Sequence, residues 1–382
     1  MRALNGAYLT LKNGEPTGLN PLQLPHTPDN LEFLKTWLMR LVWRADRPVS
    51  VAEEVDLEQA LRATLELNPP LRCLSRVIEY LDASIPDGVY ARLAPWCAIT
   101  HGERAWAFDP PAAGRNSGGP LETASSTSSE CGGNAPAQPA APTQSAAQSA
   151  ESEESAPTQW VGDVLAPLLA TGGLIGVDVT EFLENADVRE PLTLYLFHLI
   201  RQALDGRRIV CWIDEFWRVL ADPGFQRFAT DGPKTWRKLN GVMALATQSP
   251  SDVLASPLSR TVVEQTATQV FFPNIRAQWS DYGEGFGLSR REFALIRDEL
   301  LPGSRQFLVR QNGQSAVCEL NLSGMEEALS VLSGRAREVA WVERLRAQLG
   351  EDPDRWLPAF YAQRRASALH IAETGNSKGE RT

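Results

Sequence analysis

Apolar and polar positions change period several times along the chain, and each change marks an element. Leu31, Leu34, Trp37, Leu38, Leu41 and Val42 recur at three- and four-residue spacing, which places them on one face of a helix. Thr27-Pro28-Asp29 opens that helix with an N-cap hydroxyl, a proline at the first helical position and an acid in the first turn. Leu192, Tyr195, Leu196, Leu199 and Ile200 predict a second helix over about 189–204. Further helices are expected at about 56–67 and 69–82, and Trp106-Ala107-Phe108-Asp109 reads as the end of a short strand. Residues 1–25 read as strand and turn, punctuated by Gly14, Pro16, Gly18 and Pro21.

The second half is richer in strands. Arg208-Ile209-Val210-Cys211-Trp212-Ile213 and Gly241-Val242-Met243-Ala244-Leu245 are continuous apolar runs, the pattern of parallel strands covered by helices on both faces. Two short helices are expected between them, around 222–239. Gln269-Val270-Phe271-Phe272 predicts a further strand that stops at Pro273-Asn274. Ser289 with Glu292 forms a capping-box pattern for a helix through Leu300. Ser304–Arg310 and Ser315–Leu320 alternate apolar and polar around Asn312-Gly313, which predicts an antiparallel hairpin. Helices at 325–332, 335–348 and 353–366 complete the pattern. Strands alternating with helices point to a parallel α/β core with a helical part before it.

Composition changes this picture in one place. From Pro110 to about Thr158 the chain is Ala, Ser, Gly, Pro and Thr with almost no large apolar residue, so it cannot bury enough surface to offset its ordering entropy. The expected organisation is a strand, turn and helical part over 1–109, a disordered insertion over 110–158, an α/β core over 159–350 and a helix with a tail over 351–382. The formal net charge of −10 argues against whole-surface affinity for nucleic acid. Five scattered cysteines without a C-x-x-C pair suit a reducing compartment. The four histidines (His26, His101, His198 and His370) lack metal-ligand spacing. No apolar run approaches the roughly 18 residues of a membrane span, and no signal-peptide pattern opens the chain.

The chemistry gathers at the two apolar runs. In open α/β sheets the ligand crevice lies outside the carboxyl ends of the strands. Asp214, Glu215 and Gln248 stand at those ends. Two adjacent acids beside a strand ending in Gln suit a nucleoside triphosphatase, where they hold Mg²⁺, activate water and sense the γ-phosphate. A phosphate-binding loop, G-x-x-x-x-G-K-[ST], is absent from the sequence. The closest stretch, Gly232-Pro233-Lys234-Thr235, has a proline where an amide donor is needed and Arg227 where the first glycine would stand. It reads as a helix start.

These residues resemble a known family. Asp214-Glu215-Phe216-Trp217, the stretch from Asp231 to Gly241, Ala246-Thr247-Gln248-Ser249-Pro250-Ser251-Asp252 and Val263-Glu264-Gln265-Thr266 are similar to the C-terminal signature of the CagE/TrbE/VirB ATPases (the fourth VirB component). Phe272-Pro273-Asn274, Phe286-Gly287-Leu288-Ser289, Pro302-Gly303-Ser304-Arg305 and Val331-Leu332-Ser333-Gly334-Arg335 fit the same pattern. So do Asn20-Pro21-Leu22-Gln23-Leu24-Pro25, Phe108-Asp109 and Val177-Asp178-Val179-Thr180. The resemblance covers nearly everything except 110–158 and the last dozen residues. It implies a RecA-like P-loop nucleoside triphosphatase core, incomplete here, with a helical subdomain and C-terminal helices.

The resemblance also implies roles. Asp214 would hold Mg²⁺ through water, Glu215 would polarise the attacking water, and Gln248 would sense the γ-phosphate of ATP. Arg237 resembles the arginine that a ring-forming motor offers to its neighbour's phosphate. Lys234 and Lys238 read as a basic helix face, and Trp217 and Trp236 as core or interface aromatics. In the family the P-loop lies upstream of the region matching Met1, so this chain resembles a C-terminal portion, started late or split, and is expected to be inactive alone. The implied function is ATP-driven substrate export and apparatus assembly in type IV secretion or conjugal transfer. It would act at the cytoplasmic face of the bacterial inner membrane, with other secretion components, as a hexamer or with a P-loop-bearing N-terminal half. A truncated, inactive assembly subunit and a DNA translocase are the alternatives.

Overall fold

A computed structural model describes residues 1–109, 164–220, 222, 225–226, 235–332 and 336–376. The expected insertion at 110–158 and the Gly232-Pro233-Lys234 stretch lie outside the described residues. Three small sheets organise the rest. The first pairs β1 (Ala7–Thr10) with β2 (Ile175–Asp178) in parallel, in the register Ala7↔Ile175 to Thr10↔Asp178. The N-terminal strand thus sits beside residues far along the chain, and one apolar cluster runs from Leu11 to Leu199.

Helix α1 (Pro28–Leu41) begins as its sequence predicts: the Thr27 side chain accepts the Asn30 N–H, and Leu34, Trp37, Leu38 and Leu41 are buried. Helix α2 (Val51–Leu65) starts earlier than expected, because Ser50 and Glu53 close a full capping box. The single helix expected over 69–82 is instead three short turns, Pro69–Leu71, Leu74–Val77 and Ile78–Tyr80. Two prolines open the segment. The Asp109 carboxylate then accepts the Ser75 N–H and hydroxyl together with the Ala98 N–H, a tertiary acceptor replacing helical carbonyls. The short strand expected before Asp109 is a helical turn, Ala105–Phe108, whose Phe108 ring meets Trp37 edge-on at 5.2 Å. Aromatic packing decided that turn, and an isolated strand there would have no partner.

Helix α3 (Ala186–Ala203) lies against α1. The Trp37 indole donates to the Pro191 carbonyl at 3.2 Å, Arg201 pairs with Asp29 at 2.6 Å, and Arg40 pairs with Glu190. Strand β3 (Ile209–Ile213) follows and runs parallel to β4 (Gly241–Leu245), with Ile209 opposite Gly241 and Ile213 opposite Leu245.

The third sheet is antiparallel: β5 (Thr268–Phe271), β6 (Gln306–Gln311) and β7 (Gln314–Glu319). The β6–β7 turn has φ of 52° at Asn312 and 78° at Gly313, the paired left-handed conformation that Asn-Gly supplies. Before it, Ser289 and Glu292 cap α6 (Arg290–Ala294), which continues as a wider π turn over Leu295–Glu299. Two short helices between β4 and β5, α4 (Pro250–Leu254) and α5 (Ser259–Gln265), precede it. Helices α7 (Glu326–Leu332), α8 (Ala336–Leu349) and α9 (Pro353–Asn376) close the described chain.

One expectation fails for β3 and β4. Among the described residues they are covered on one face only. Ile209, Cys211, Ile213, Met243 and Leu245 pack on an apolar cluster with Phe216, Phe225 and Trp236. On the other face Val210 is 68 % exposed, Trp212 71 % and Val242 55 %. A continuous apolar run signals two faces fit for burial, and the described residues cover one of them.

Candidate functional site

Asp214 follows the last residue of β3, and Gln248 lies three residues beyond β4. Two backbone bonds hold the loops after these strands together: Ala246 N–H donates to the Ile213 carbonyl at 2.9 Å, and Phe216 N–H to the Ala246 carbonyl at 3.2 Å. The acids and the start of the Ala246-Thr247-Gln248 loop are thereby tied at one edge of the sheet. Asp214 and Gln248 are exposed and Glu215 is half-buried.

The backbone at Glu215 is left-handed, with φ of 49° and ψ of 39°. Such a conformation is uncommon for a residue with a Cβ and persists only where its surroundings impose it. Here the surroundings are visible. The next residue, Phe216, is buried in the cluster beneath the sheet and bonded to Ala246, so the chain must turn sharply at Glu215. The Trp217 indole N–H donates to the Glu215 carboxylate and sets its direction. Arg218 stacks over the Trp217 ring at 4.9 Å and pairs with Glu184. The role of Trp217 has no signal in the sequence beyond an aromatic two residues after the acid.

The Glu215 N–H donates to Asp214 Oδ1 at 3.0 Å, and Oδ2 takes no protein donor among the described residues. An exposed carboxylate oxygen fits a magnesium ion, which keeps several of its waters when bound. The sequence supplies no loop to wrap phosphates. These residues therefore fit the ion and leave a nucleotide's phosphates without their main donors. Cys211, three residues before Asp214 on the covered face, has its thiol pushed up to about 11 by burial, which makes it a packing group at neutral pH.

The thiol-free edge does not include every residue singled out in the sequence. Arg237 is exposed on the short helical turn before Gly241, at the opposite end of β4 from Gln248. Four residue steps from Gly241 to Leu245 separate those ends, about 13 Å at roughly 3.3 Å per step. Lys238 is exposed beside it, and Trp236 is buried in the cluster under the sheet, as a core aromatic.

No family model matches the chain. Individual proteins do. It is 37 % identical over 365 residues to a type IV secretion system protein virB4 of Bartonella henselae, covering 95 % of this chain and 40 % of that protein. The virB4 protein of Brucella suis is 32 % identical over 380 residues, with 98 % and 40 % covered. The match is to the C-terminal 40 % of these relatives. Over the length it spans, the chain is similar to the C-terminal part of VirB4-type type IV secretion proteins.

PtlC of Bordetella pertussis, a type IV secretion system protein, is 34 % identical over 378 residues and 39 % covered. The chain thus spans about two-fifths of the curated relatives it matches. The solved structure of VirB4 of Thermoanaerobacter pseudethanolicus superimposes with a TM-score of 0.54 at 15 % identity, over 85 % of this chain and 79 % of that one. The chain accordingly shares the mixed helix-and-sheet fold of that VirB4 structure, and its sequence carries no P-loop.

Proposed function

We propose that this chain is the C-terminal portion of a type IV secretion motor and supplies the metal and water side of its ATP site. The observation that carries this reading is the joint placement of Asp214, Glu215 and the loop to Gln248 at the carboxyl edge of two parallel strands. In this role Asp214 holds Mg²⁺ through water, Glu215 orients the attacking water, and Gln248 reads the γ-phosphate. Residues 159–350 form the motor core, 1–109 the strand and helical part, 110–158 an insertion, and 351–382 the closing helix and tail. Arg237, at the far end of β4, serves a neighbouring subunit's phosphate in a ring. The whole assembly works at the cytoplasmic face of the inner membrane with other secretion components, driving export and apparatus assembly.

Backbone amides and the lysine of a P-loop make most ground-state phosphate contacts, and an acid pair cannot replace them. The chain alone is therefore expected to turn over ATP undetectably. A second reading, an assembly subunit that binds no nucleotide, is favoured by that same missing loop. Equilibrium binding of a fluorescent ATP analogue with Mg²⁺, with Asp214→Ala as control, separates them. Binding by the chain joined to a P-loop-bearing half and weakened by Asp214→Ala supports the motor. Binding indifferent to Asp214 removes it.

A further inference from the structure

We infer that Arg189 and Asp222 are positioning residues for Glu215: together they clamp the segment that follows β3 onto helix α3, so that the acid keeps its left-handed turn. Arg189 reaches Asp222 with two nitrogens, Nη2 to Oδ1 at 3.0 Å and Nε to Oδ2 at 3.1 Å. A fork of this kind fixes orientation as well as distance. The remaining nitrogen, Nη1, donates to the Leu183 carbonyl at 2.7 Å, and the Thr193 hydroxyl donates to Asp222 Oδ2 at 3.2 Å. The Asp222 side chain is 1 % exposed, so its charge depends on these donors from α3.

The clamp acts on Glu215 through a chain of short backbone bonds. Arg218 N–H donates to the Glu215 carbonyl at 3.0 Å, Leu220 N–H to that of Trp217 at 3.3 Å, and Asp222 N–H to that of Val219 at 3.0 Å. The segment from Glu215 to Asp222 is thus one run of linked turns. Its near end is fixed at the sheet by the bond from Phe216 to Ala246, and its far end by Asp222 on α3. A residue with a Cβ stays at φ of 49° only while its surroundings hold it there. Phe216 supplies one hold and the clamp supplies the other. Glu184, in the turn before α3, pairs with Arg218, which stacks on the Trp217 indole that donates to Glu215. The start of α3 therefore steers both the backbone and the side chain of the acid.

The same clamp ties the acid to the helical part of the chain. Arg40 of α1 pairs with Glu190, the neighbour of Arg189. Burial pushes the Glu190 carboxyl up, Arg40 pulls it back, and the Asp222 charge adds to the rise. Two shielded acids are thus balanced by two arginines in a network that crosses from α1 through α3 to the segment after β3. A buried ion pair often contributes little net stability compared with packed apolar residues of the same size. What a forked pair adds is a narrow range of geometries, which is the property a positioning device needs. That Glu215 faces an attacking water rests on the motor reading; its placement by Arg189 and Asp222 does not.

The test follows the Trp217 indole N–H by NMR in the full chain labelled with isotopic tryptophan. Trp217→Phe assigns the signal, and Glu215→Gln marks where it stands once the carboxylate is lost. Arg189→Lys and Asp222→Asn loosen the clamp, and Thr193→Val, which removes a single donor, serves where either of them fails to fold. Asp109→Asn, which disturbs the turns at Ser75 and Ala98 instead, is the control for general stability. Circular dichroism with a thermal scan verifies folding of each variant. The clamp variants are expected to move the folded-state signal toward its Glu215→Gln position and to speed exchange of the indole proton about tenfold, as local opening becomes easier. Asp109→Asn is expected to leave the signal in place. An unmoved signal in folded clamp variants overturns the inference. Equal movement in Asp109→Asn also overturns it, by reducing the clamp to general stability. An indole that responds as expected, with ATP-analogue binding indifferent to Asp214→Ala, supports the positioning pair while removing the motor reading.

Discussion

The Trp217 indole donates its N–H to the carboxylate of Glu215, a residue held in the left-handed backbone region. The side chain and the backbone of this acid are thus both constrained by the two residues that follow it. A double-mutant cycle of Trp217→Phe and Glu215→Ala is expected to give a coupling of about 1 kcal/mol, the usual net worth of a hydrogen bond. Urea denaturation of the four proteins measures it.

Backbone strain at the same position makes a separate prediction. Glu215→Gly and Glu215→Ala both remove the carboxylate, but only alanine keeps the Cβ that disfavours φ of 49°. The glycine variant is expected to be the more stable by about 1 kcal/mol. Equal denaturation midpoints would mean that the turn at Glu215 carries no such strain.

His198 ties α3 to α1. Its Nε2–H donates to Asn30 Oδ1 at 2.7 Å, because the Asn30 amide nitrogen is already donating to the Pro25 carbonyl. The imidazole stacks on Phe33 with centroids 3.9 Å apart. Burial first, and then the Arg201 charge, push its pKa down to about 4, against a partial opposing pull from Asp29. The unfolded chain therefore takes up this proton near pH 6.5 while the native state resists it. Stability contributed by the neutral ring is complete above pH 6.5 and is lost as the pH falls toward 4. At about 1.4 kcal/mol per pKa unit the loss is on the order of 3 kcal/mol. His198→Gln, which can still donate to Asn30, is expected to flatten the dependence between those values. The Asp29 carboxyl, lowered chiefly by its bond from Arg201, acts in a more acidic window and leaves this one separate.

Asp109 organises three backbone and hydroxyl donors from two turns while being 1 % exposed. All of its partners are donors. Asp109→Asn keeps one acceptor oxygen and turns an N–H toward donors, so it is expected to cost about 1–3 kcal/mol. A thermal scan checks it, and an unchanged midpoint would show that water or a rearranged turn serves those groups.

Two tryptophans close in sequence should behave in opposite ways. Trp236→Ala empties a site that is 3 % exposed and is expected to cost about 3–5 kcal/mol. Trp212→Ser, on the bare face, is expected to change the stability of the isolated chain by no more than about 0.5 kcal/mol. Denaturant midpoints of the two variants decide it.

Much of this was legible in the residues. Thr27-Pro28-Asp29, the Ser289–Glu292 box and the Asn312-Gly313 turn each bring donor and acceptor together within a few positions, and each element stands where its pattern predicts. The placement of Asp214 and Gln248 at strand ends was legible for the same reason, since a run of apolar residues followed by an acid or amide marks its own end. The Ala105–Phe108 turn was misread because four residues are too few to show a period. The splitting of 69–82 into short turns escaped notice because Asp109, which accepts the Ser75 and Ala98 donors, is remote in sequence.

The sequence by itself determined the local caps and turns, the two apolar runs with their terminal acids and amide, the missing phosphate loop and the family likeness. Only the tertiary structure decided that β1 pairs with β2 across more than 160 residues, that Phe216 pulls Glu215 into a left-handed turn, and that one face of β3–β4 is left open by the described residues. The physical reason is range. Hydrogen bonds between neighbours are specified by the residues that make them, whereas burial of a face depends on which distant element arrives to cover it.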